Sequence, residues 1–374
     1  MKRSILSILF SIFITVFSFA QKFNMISSTA LKGVDYPKIS SDHKVQFKLH
    51  APTAQKVEFK GGDGVRDLKY KIQKEANGDW IIETESMPIG FHYYWFEVDG
   101  KPLNDPSVNT YFGYGKPTSG IEIPSEEDFF LTKNVPPGKI ISDQFYSKIL
   151  DEKREIAIYL PPNYGKKKLP VLYLYHGTGE DITGWDRQGF IQNILDNMIA
   201  EGKAKEMLVV MDFGVALIKE EENLPEGHDK IVLFTQNLED VLVNELIPYI
   251  DRNYKTNNER AVAGLSRGSY QAMRIGANHP KLFSAIGSFS PVIYGGTEED
   301  VFKELNLNNL HKKQYFFVGI GDLESDYFQG YHNQIIEKLK TNHHPIDIFT
   351  SKGTYHEWLT WRRCFYQFAS NLFQ

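Results

Sequence analysis

Arg260-Ala261-Val262-Ala263-Gly264-Leu265-Ser266-Arg267-Gly268-Ser269-Tyr270-Gln271-Ala272-Met273-Arg274-Ile275-Gly276-Ala277 is the stretch that decides the fold. Arg260 to Ala263 is a short, largely apolar run of strand type. Tyr270 to Ala277 has helical character and ends near His279-Pro280. Between them Gly264-Leu265-Ser266-Arg267-Gly268 reads G-x-S-x-G. Strand, sharp turn and helix make a nucleophile elbow, in which a strained turn lifts a serine to the top of a sheet. Glycines flank that serine because bulkier side chains would collide with the neighbouring strand and helix. A bare G-x-S-x-G is common. Its flanks here favour Ser266 as a catalytic nucleophile over an incidental serine in a glycine-rich turn.

Outward from the elbow, strands and helices alternate from about residue 141. Lys153 to Leu160 reads as a strand, and Leu169 to Tyr175 is nearly all apolar, as a parallel strand buried on both faces must be. Phe190 to Glu201 is an amphipathic helix, Met207 to Met211 a buried strand and Phe234 to Ile250 a long helix. Ser284 to Ser290, Tyr315 to Ile320 and Ile346 to Thr350 complete the strands. The expected class is α/β: a doubly wound, mostly parallel sheet of α/β-hydrolase type over residues 141–374.

A serine hydroxyl is a poor nucleophile at neutral pH and needs a base, which an acid must orient. In this fold the chain order is serine, acid, histidine. His356 lies in Gly353-Thr354-Tyr355-His356-Glu357-Trp358, between the last strand and the last helix, where the base is needed. His279 precedes a proline and His332 falls on a helix, so both fit worse. The acid should follow the strand ending at Gly321, where Asp322, Glu324 and Asp326 compete. Counting back from a helix at Asn333 to Lys340 selects Asp326, and aspartate is the commoner type. An oxyanion hole needs two backbone N–H groups. One is expected from Arg267, the other from Thr178 or Gly179 in His176-Gly177-Thr178-Gly179. Trp185 and Trp358 are candidates for substrate contact, with helix packing the alternative for Trp185.

Tyr173-Leu174-Tyr175-His176-Gly177 with Gly184-Trp185, the elbow, and Gly353-x-x-His356-x-Trp358-x-x-Trp361-Arg362 together resemble the esterase D family. That family includes feruloyl esterases, acetyl xylan esterases and trilactone siderophore esterases. The likeness runs over about residues 140–374 and implies ester hydrolysis on a serine, with no cofactor. Similar enzymes place the acid about three residues after the glycine that closes its strand, which favours Glu324 over the alternatives Asp326 and Asp322. Two departures stand out: Ser269 replaces a usual third glycine, and the acid loop reads Asp322-Leu323-Glu324-Ser325-Asp326.

Residues 25–115 alternate in the manner of β-strands, for example Val45-Gln46-Phe47-Lys48-Leu49 and Lys56-Val57-Glu58-Phe59-Lys60. Short strands between turns argue for an immunoglobulin-like β-sandwich. Phe47-x-Leu49-x-Ala51-Pro52-x-Ala54, Trp80, Gly90-Phe91-His92-Tyr93-Tyr94-Trp95-Phe96 and Asp105-Pro106 resemble the early-set module joined to glycogen-branching enzymes. That module is often classed as carbohydrate-binding and precedes esterase domains in bacterial polysaccharide-degrading enzymes. Structural support and glycan contact are both open to it. Asn109 to Gly115 is aromatic and glycine-rich, and one reading folds it back toward the active-site mouth. Residues 116–140, punctuated by Pro117, Pro124, Pro136 and Pro137, read as a linker.

Length, charge and the N-terminus bound the rest. At about 150 residues per domain, 374 residues suggest two or three domains. A net charge of −5 and the absence of a basic recognition helix or phosphate loop argue against nucleic acid. Lys2-Arg3, the apolar run Ile5 to Phe17 and Ser18-Phe19-Ala20 have the form of a signal peptide over residues 1–20. The apolar run is short for a membrane span. Export to the periplasm or the exterior is therefore expected, with no span in the mature chain. The single cysteine, Cys364, excludes an intrachain disulfide and reads as a buried small hydrophobe. His343-His344 does not have metal-ligand spacing, and no metal is expected. The sum is an exported serine esterase acting on feruloyl or acetyl esters of xylan. A siderophore or other small-ester esterase is the alternative. From a different class comes a non-catalytic glycan-binding protein with a relic hydrolase domain.

Overall fold

Leu169–Tyr175 is buried along all seven residues, and its neighbours explain why. In the computed structural model, which describes residues 23–297 and 300–374, this strand lies inside an eight-stranded sheet. The strands are β1 (Lys139–Ser147), β2 (Glu152–Leu160), β3 (Leu169–Tyr175) and β4 (Leu208–Asp212). They continue as β5 (Thr256–Leu265), β6 (Ala285–Phe289), β7 (Tyr315–Gly321) and β8 (Ile346–Ser351). Their spatial order is β1-β2-β4-β3-β5-β6-β7-β8. The pairings β1–β2 and β2–β4 are antiparallel, and every pairing from β4 onward is parallel. Successive strand residues point to opposite faces, so Val171, Tyr173 and Tyr175 enter one core layer while Leu172 and Leu174 enter the other. A strand covered on both faces has no room for polar alternation.

Helices cover both faces. On one side lie α1 (Ile191–Ala200) and the C-terminal helix, Trp358–Asn371. On the other lie α2 (His228–Val241), α3 (Arg267–Asn278) and α4 (Asp326–Thr341); Trp358–Asn371 is α5. The expected helix at Phe234 to Ile250 begins earlier, at His228, and runs through a π-helical turn at Leu242–Leu246 into Ile247–Asn253. Similarly, α4 begins at Asp326 instead of Asn333. Its first turn carries Tyr327 and Phe328 toward the cavity described below, which masks the helical period. The expected signal segment, residues 1–20, lies outside the described residues. Among the described residues no helix is long and apolar enough to cross a membrane.

The N-terminal unit is built from two five-stranded sheets around one aromatic core. Lys44–His50 alternates strictly between buried and less buried positions. Its Phe47 meets Phe59 and Tyr94 of the opposite sheet with ring centroids 5.3 and 4.7 Å apart. The linker expected over residues 116–140 needs correction. Lys116–Ile123 is a strand paired to Thr110–Gly113 on one side and Gly90–Val98 on the other. Its Lys-Pro-Thr-Ser-Gly start has weak strand propensity. Register with Gly90–Val98 begins only at Ser119, beyond Pro117, so the missing N–H breaks no bond on that side.

A buried ion pair bolts the two units together. Arg362 of α5, fully buried, makes a bidentate pair with Glu122 at 2.8 and 2.9 Å. Its guanidinium also donates to the Gln188 carbonyl and lies 4.6 and 4.5 Å from the centroids of the Phe130 and Phe190 rings. Arg363 pairs with Glu127 beside it. Removing one partner of such a pair leaves an uncompensated buried charge. Glu122→Ala is therefore expected to lower stability by about 3–5 kcal/mol, read as a lower urea midpoint.

Candidate active site

The carboxyl edge of the parallel strands is where open α/β sheets hold their ligands. At the end of β5, Ser266 has φ 52° and ψ −120°, a strained conformation for a residue with a side chain. Its N–H donates to the Phe289 carbonyl at 2.8 Å, which ties the turn to β6. The flanking glycines are required by distance. A Cβ on Gly264 would stand 2.3 Å from the Gly268 carbonyl oxygen, and one on Gly268 would stand 2.7 Å from the Tyr175 and His176 oxygens. Ser269 needs no such space: it is buried, and its hydroxyl donates to the Ser266 carbonyl at 2.6 Å.

The three competing carboxylates occupy different surroundings. Glu324 has a fully buried side chain. Its Oε2 lies 2.7 Å from His356 Nδ1, while Oε1 accepts the Gly321 N–H at 2.9 Å and the Ser290 hydroxyl at 2.6 Å. Trp361 Nε1 in turn donates to Ser290 Oγ at 2.9 Å. Asp322 points elsewhere: it accepts the Gly353 N–H at 2.7 Å and so braces the histidine loop from outside. Asp326 is exposed in the first turn of α4. With Nδ1 donating to Glu324, Nε2 of His356 is left as an acceptor. The imidazole is clamped by Phe328, stacked at 3.7 Å, and by the edge-on ring of Trp361 at 5.1 Å. Glu357, next to His356 in sequence, caps α5 by accepting the Leu359 and Thr360 N–H groups. Burial pushes its carboxyl up to about 8.

Ser266 and His356 share a cavity of about 290 Å³. Its walls include Leu265, Val292, Tyr294, Phe328, Trp358 and Trp361 from the larger unit. The N-terminal unit supplies Asp63, Phe91, His92, Tyr93 and Tyr114. Tyr114 sits in the aromatic stretch that the sequence folds back toward the mouth, and its phenol oxygen accepts the Asp63 N–H at 2.9 Å.

Not every expected contact is made. Thr178 lines the cavity, but Gly179 is held against the N-terminal unit. Its carbonyl accepts the Gly115 N–H at 2.8 Å, and a Cβ there would stand 2.9 Å from that same nitrogen. Of the two, Thr178 is therefore the one in the cavity wall. The Arg267 amide opens α3, where the first N–H groups of a helix lack an internal partner. The Arg267 side chain is buried over the Phe234 ring, and that burial holds it down at about 10. Trp185 is corrected from pocket wall to packing residue. It is 1% exposed, edge-on to Trp358 at 5.4 Å, with Nε1 donating to the Tyr175 carbonyl. Trp358 itself reaches the cavity.

The sequence reading missed Glu180, Ser290, Phe328, Tyr93 and Tyr294. Burial pushes the Glu180 carboxyl up to about 7 and, with the Arg267 charge, pulls the His176 imidazole down to about 3. A signal for Tyr93 was present. Gly90–Val98 is aromatic at both odd and even positions, the mark of a strand packed on both faces.

Residues 147–369 match the Esterase family model, described as "Putative esterase". An endo-1,4-beta-xylanase/feruloyl esterase of Xylanibacter ruminicola is 37% identical over 355 residues, covering 91% of this chain and 46% of that protein. The chain thus spans about half the length of that curated relative. A ferulic acid esterase from the anaerobic fungus Anaeromyces mucronatus superposes with TM-score 0.59 at 23% identity, over 66% of this chain and 95% of that one. The enterobactin esterase of Shigella flexneri superposes with TM-score 0.65 at 17% identity, over 88% of this chain and 93% of that one. These two likenesses carry the fold, which is of α/β-hydrolase type. With the family model matched over more than half of the chain, the chain belongs to this esterase family.

Proposed function

We propose that Ser266, His356 and Glu324 act as nucleophile, base and orienting acid, and that the acyl group removed is a feruloyl-type aromatic acid carried on xylan. The observation that carries this reading is the Glu324–His356 bond in the wall of an aromatic cavity that also holds Ser266. Ser266 Oγ attacks the ester carbonyl as His356 Nε2 takes its proton. The Arg267 and Thr178 amides face the developing oxyanion. His356 then protonates the leaving sugar alcohol, and water repeats the cycle to release the acid. Glu324 stabilises the imidazolium through Oε2, while its Oε1 is already engaged by two donors. Aromatic side chains line the cavity and suit a phenolic ring; an acetyl group would leave most of the space empty.

The feruloyl assignment draws on the Xylanibacter ruminicola xylanase/feruloyl esterase, which matches this chain across both units. A second reading, cleavage of a trilactone siderophore, is favoured by the fold likeness to the enterobactin esterase extending over 88% of the chain. We read the N-terminal unit as an early-set sandwich of immunoglobulin type, open to glycan contact at the exposed Tyr114, and residues 1–20 as an export signal. Methyl ferulate, acetylated xylan and a catechol trilactone compared under one condition test the substrate. The highest kcat/KM is expected on methyl ferulate; preference for the trilactone overturns the polysaccharide reading.

A further inference from the structure

Glu180 lies buried in the cavity wall and has no place in the triad. Its Oε2 accepts the Gly177 N–H at 3.2 Å, and its Oε1 accepts the Tyr93 hydroxyl at 3.2 Å. Gly177 immediately precedes Thr178, the cavity residue proposed above as an oxyanion donor. Tyr93 comes from the N-terminal unit, on Gly90–Val98. Its phenol oxygen accepts from Gln188 Nε2 at 2.8 Å and from Trp358 Nε1 at 3.3 Å. The single phenol proton is left for Glu180 or for the Phe112 carbonyl, also at 3.2 Å.

We infer that Tyr93 and Glu180 form a positioning pair through which the N-terminal unit sets the oxyanion loop. Neither residue touches the reacting atoms; both act through Gly177. A glycine backbone is freer than any other and keeps one conformation only when something outside it does the holding. Oxyanion donors work within a few tenths of an ångström of about 2.7–3.1 Å, so releasing Gly177 displaces the Thr178 amide from its working position. The pair also needs a particular charge. Both groups facing the Glu180 oxygens are donors, which a carboxylate accepts, whereas a neutral carboxyl would bring a proton of its own with no acceptor opposite.

The charged and titratable groups around Glu180 are Tyr93 from the N-terminal strand, His356 from the loop before α5 and Arg267 from α3. Burial places the Glu180 ionisation at about 7, and the hydrogen bonds from Gly177 and Tyr93 work against that rise. Glu180 therefore carries its charge, and holds the loop, above about 7. The hold loosens as pH falls through that value. Losing the Tyr93 hydroxyl moves the ionisation to higher pH.

This inference rests on Ser266 as nucleophile, and its test separates the two. Full-length wild type, Tyr93→Phe, Glu180→Gln, Tyr111→Phe and Ser266→Ala are assayed on p-nitrophenyl acetate across pH. Glutamine has one acceptor oxygen for two donors, so it keeps the bulk and loses one bond. Tyr93→Phe and Glu180→Gln are expected to lower kcat by about 10- to 100-fold with KM little changed. The acid limb should move to higher pH in Tyr93→Phe and become less steep in Glu180→Gln. Tyr111→Phe, on the same face with Arg187 over its ring, should keep wild-type turnover and pH profile. Wild-type kcat in both pair variants, an unmoved acid limb, or an equal loss in Tyr111→Phe would overturn the inference while leaving the triad intact. Full activity in Ser266→Ala would overturn the triad itself.

Discussion

Ser266→Ala is expected to lower kcat on p-nitrophenyl acetate by about 10⁶-fold, with KM and thermal midpoint near wild type. The size of the loss follows from the site acting as a unit. Without Oγ, His356 has no proton to take and Glu324 no imidazolium to stabilise, so the pair contributes little on its own. Stability should survive for a local reason. The strained turn is held by the Ser266 N–H on the Phe289 carbonyl and by Ser269 on the Ser266 carbonyl, and neither bond uses the Ser266 hydroxyl. Alanine at φ 52° is no more strained than serine. Purified variant and wild type, compared in turnover and in thermal unfolding, give both readouts. A variant that keeps a hundredth of wild-type kcat would place the nucleophile elsewhere.

The second large effect belongs to Glu324→Gln, expected to lower kcat by about 10⁴-fold. The neighbours dictate which way the amide turns. The Gly321 N–H and the Ser290 hydroxyl both donate to Oε1, so the glutamine oxygen must take that place. Its NH₂ then faces His356 Nδ1, which is forced to accept. The imidazole proton moves to Nε2, the wrong nitrogen for a base. Asp322→Asn retains an oxygen for the Gly353 N–H, and Asp326 is exposed. Asp322→Asn and Asp326→Asn should therefore each stay within about threefold of wild type, an exposed or still-bonded site being nearly neutral. Steady-state kinetics of the three variants on one substrate decides the acid, and near-wild-type turnover in Glu324→Gln would remove it from the site.

What the sequence made legible follows from distance along the chain. The elbow is local: strand, two glycines, serine and helix lie within eighteen consecutive residues, and the glycine spacing has a steric cause in the structure. The buried parallel strands were equally plain, because burial on both faces removes polar residues from Leu169–Tyr175 and Leu208–Asp212. The acid was harder. Asp322, Glu324 and Asp326 share one chemistry and one loop, and the partners that distinguish Glu324, Ser290 just after β6 and His356, lie far from it in sequence. Hardest was the wall built from the N-terminal unit. Tyr93 meets Trp358 across 265 residues of chain, and no local pattern encodes such a contact. For the same reason Lys116–Ile123 read as linker: its pairing partner Gly90–Val98 supplies the order that its own residues do not.

The larger unit alone would have an open site. Phe91, Tyr93 and Tyr114 close one side of the cavity, and the buried Arg362–Glu122 pair fixes the face that carries them. The N-terminal unit is thus part of the cavity wall.

The most direct test of the central claim is to label the native enzyme with a serine-directed aryl phosphonate and map the adduct by peptide mass spectrometry. A single adduct on Ser266, formed far more slowly in Glu324→Gln, is the predicted result. An adduct on any other residue, or labelling at the wild-type rate in Glu324→Gln, would contradict the triad.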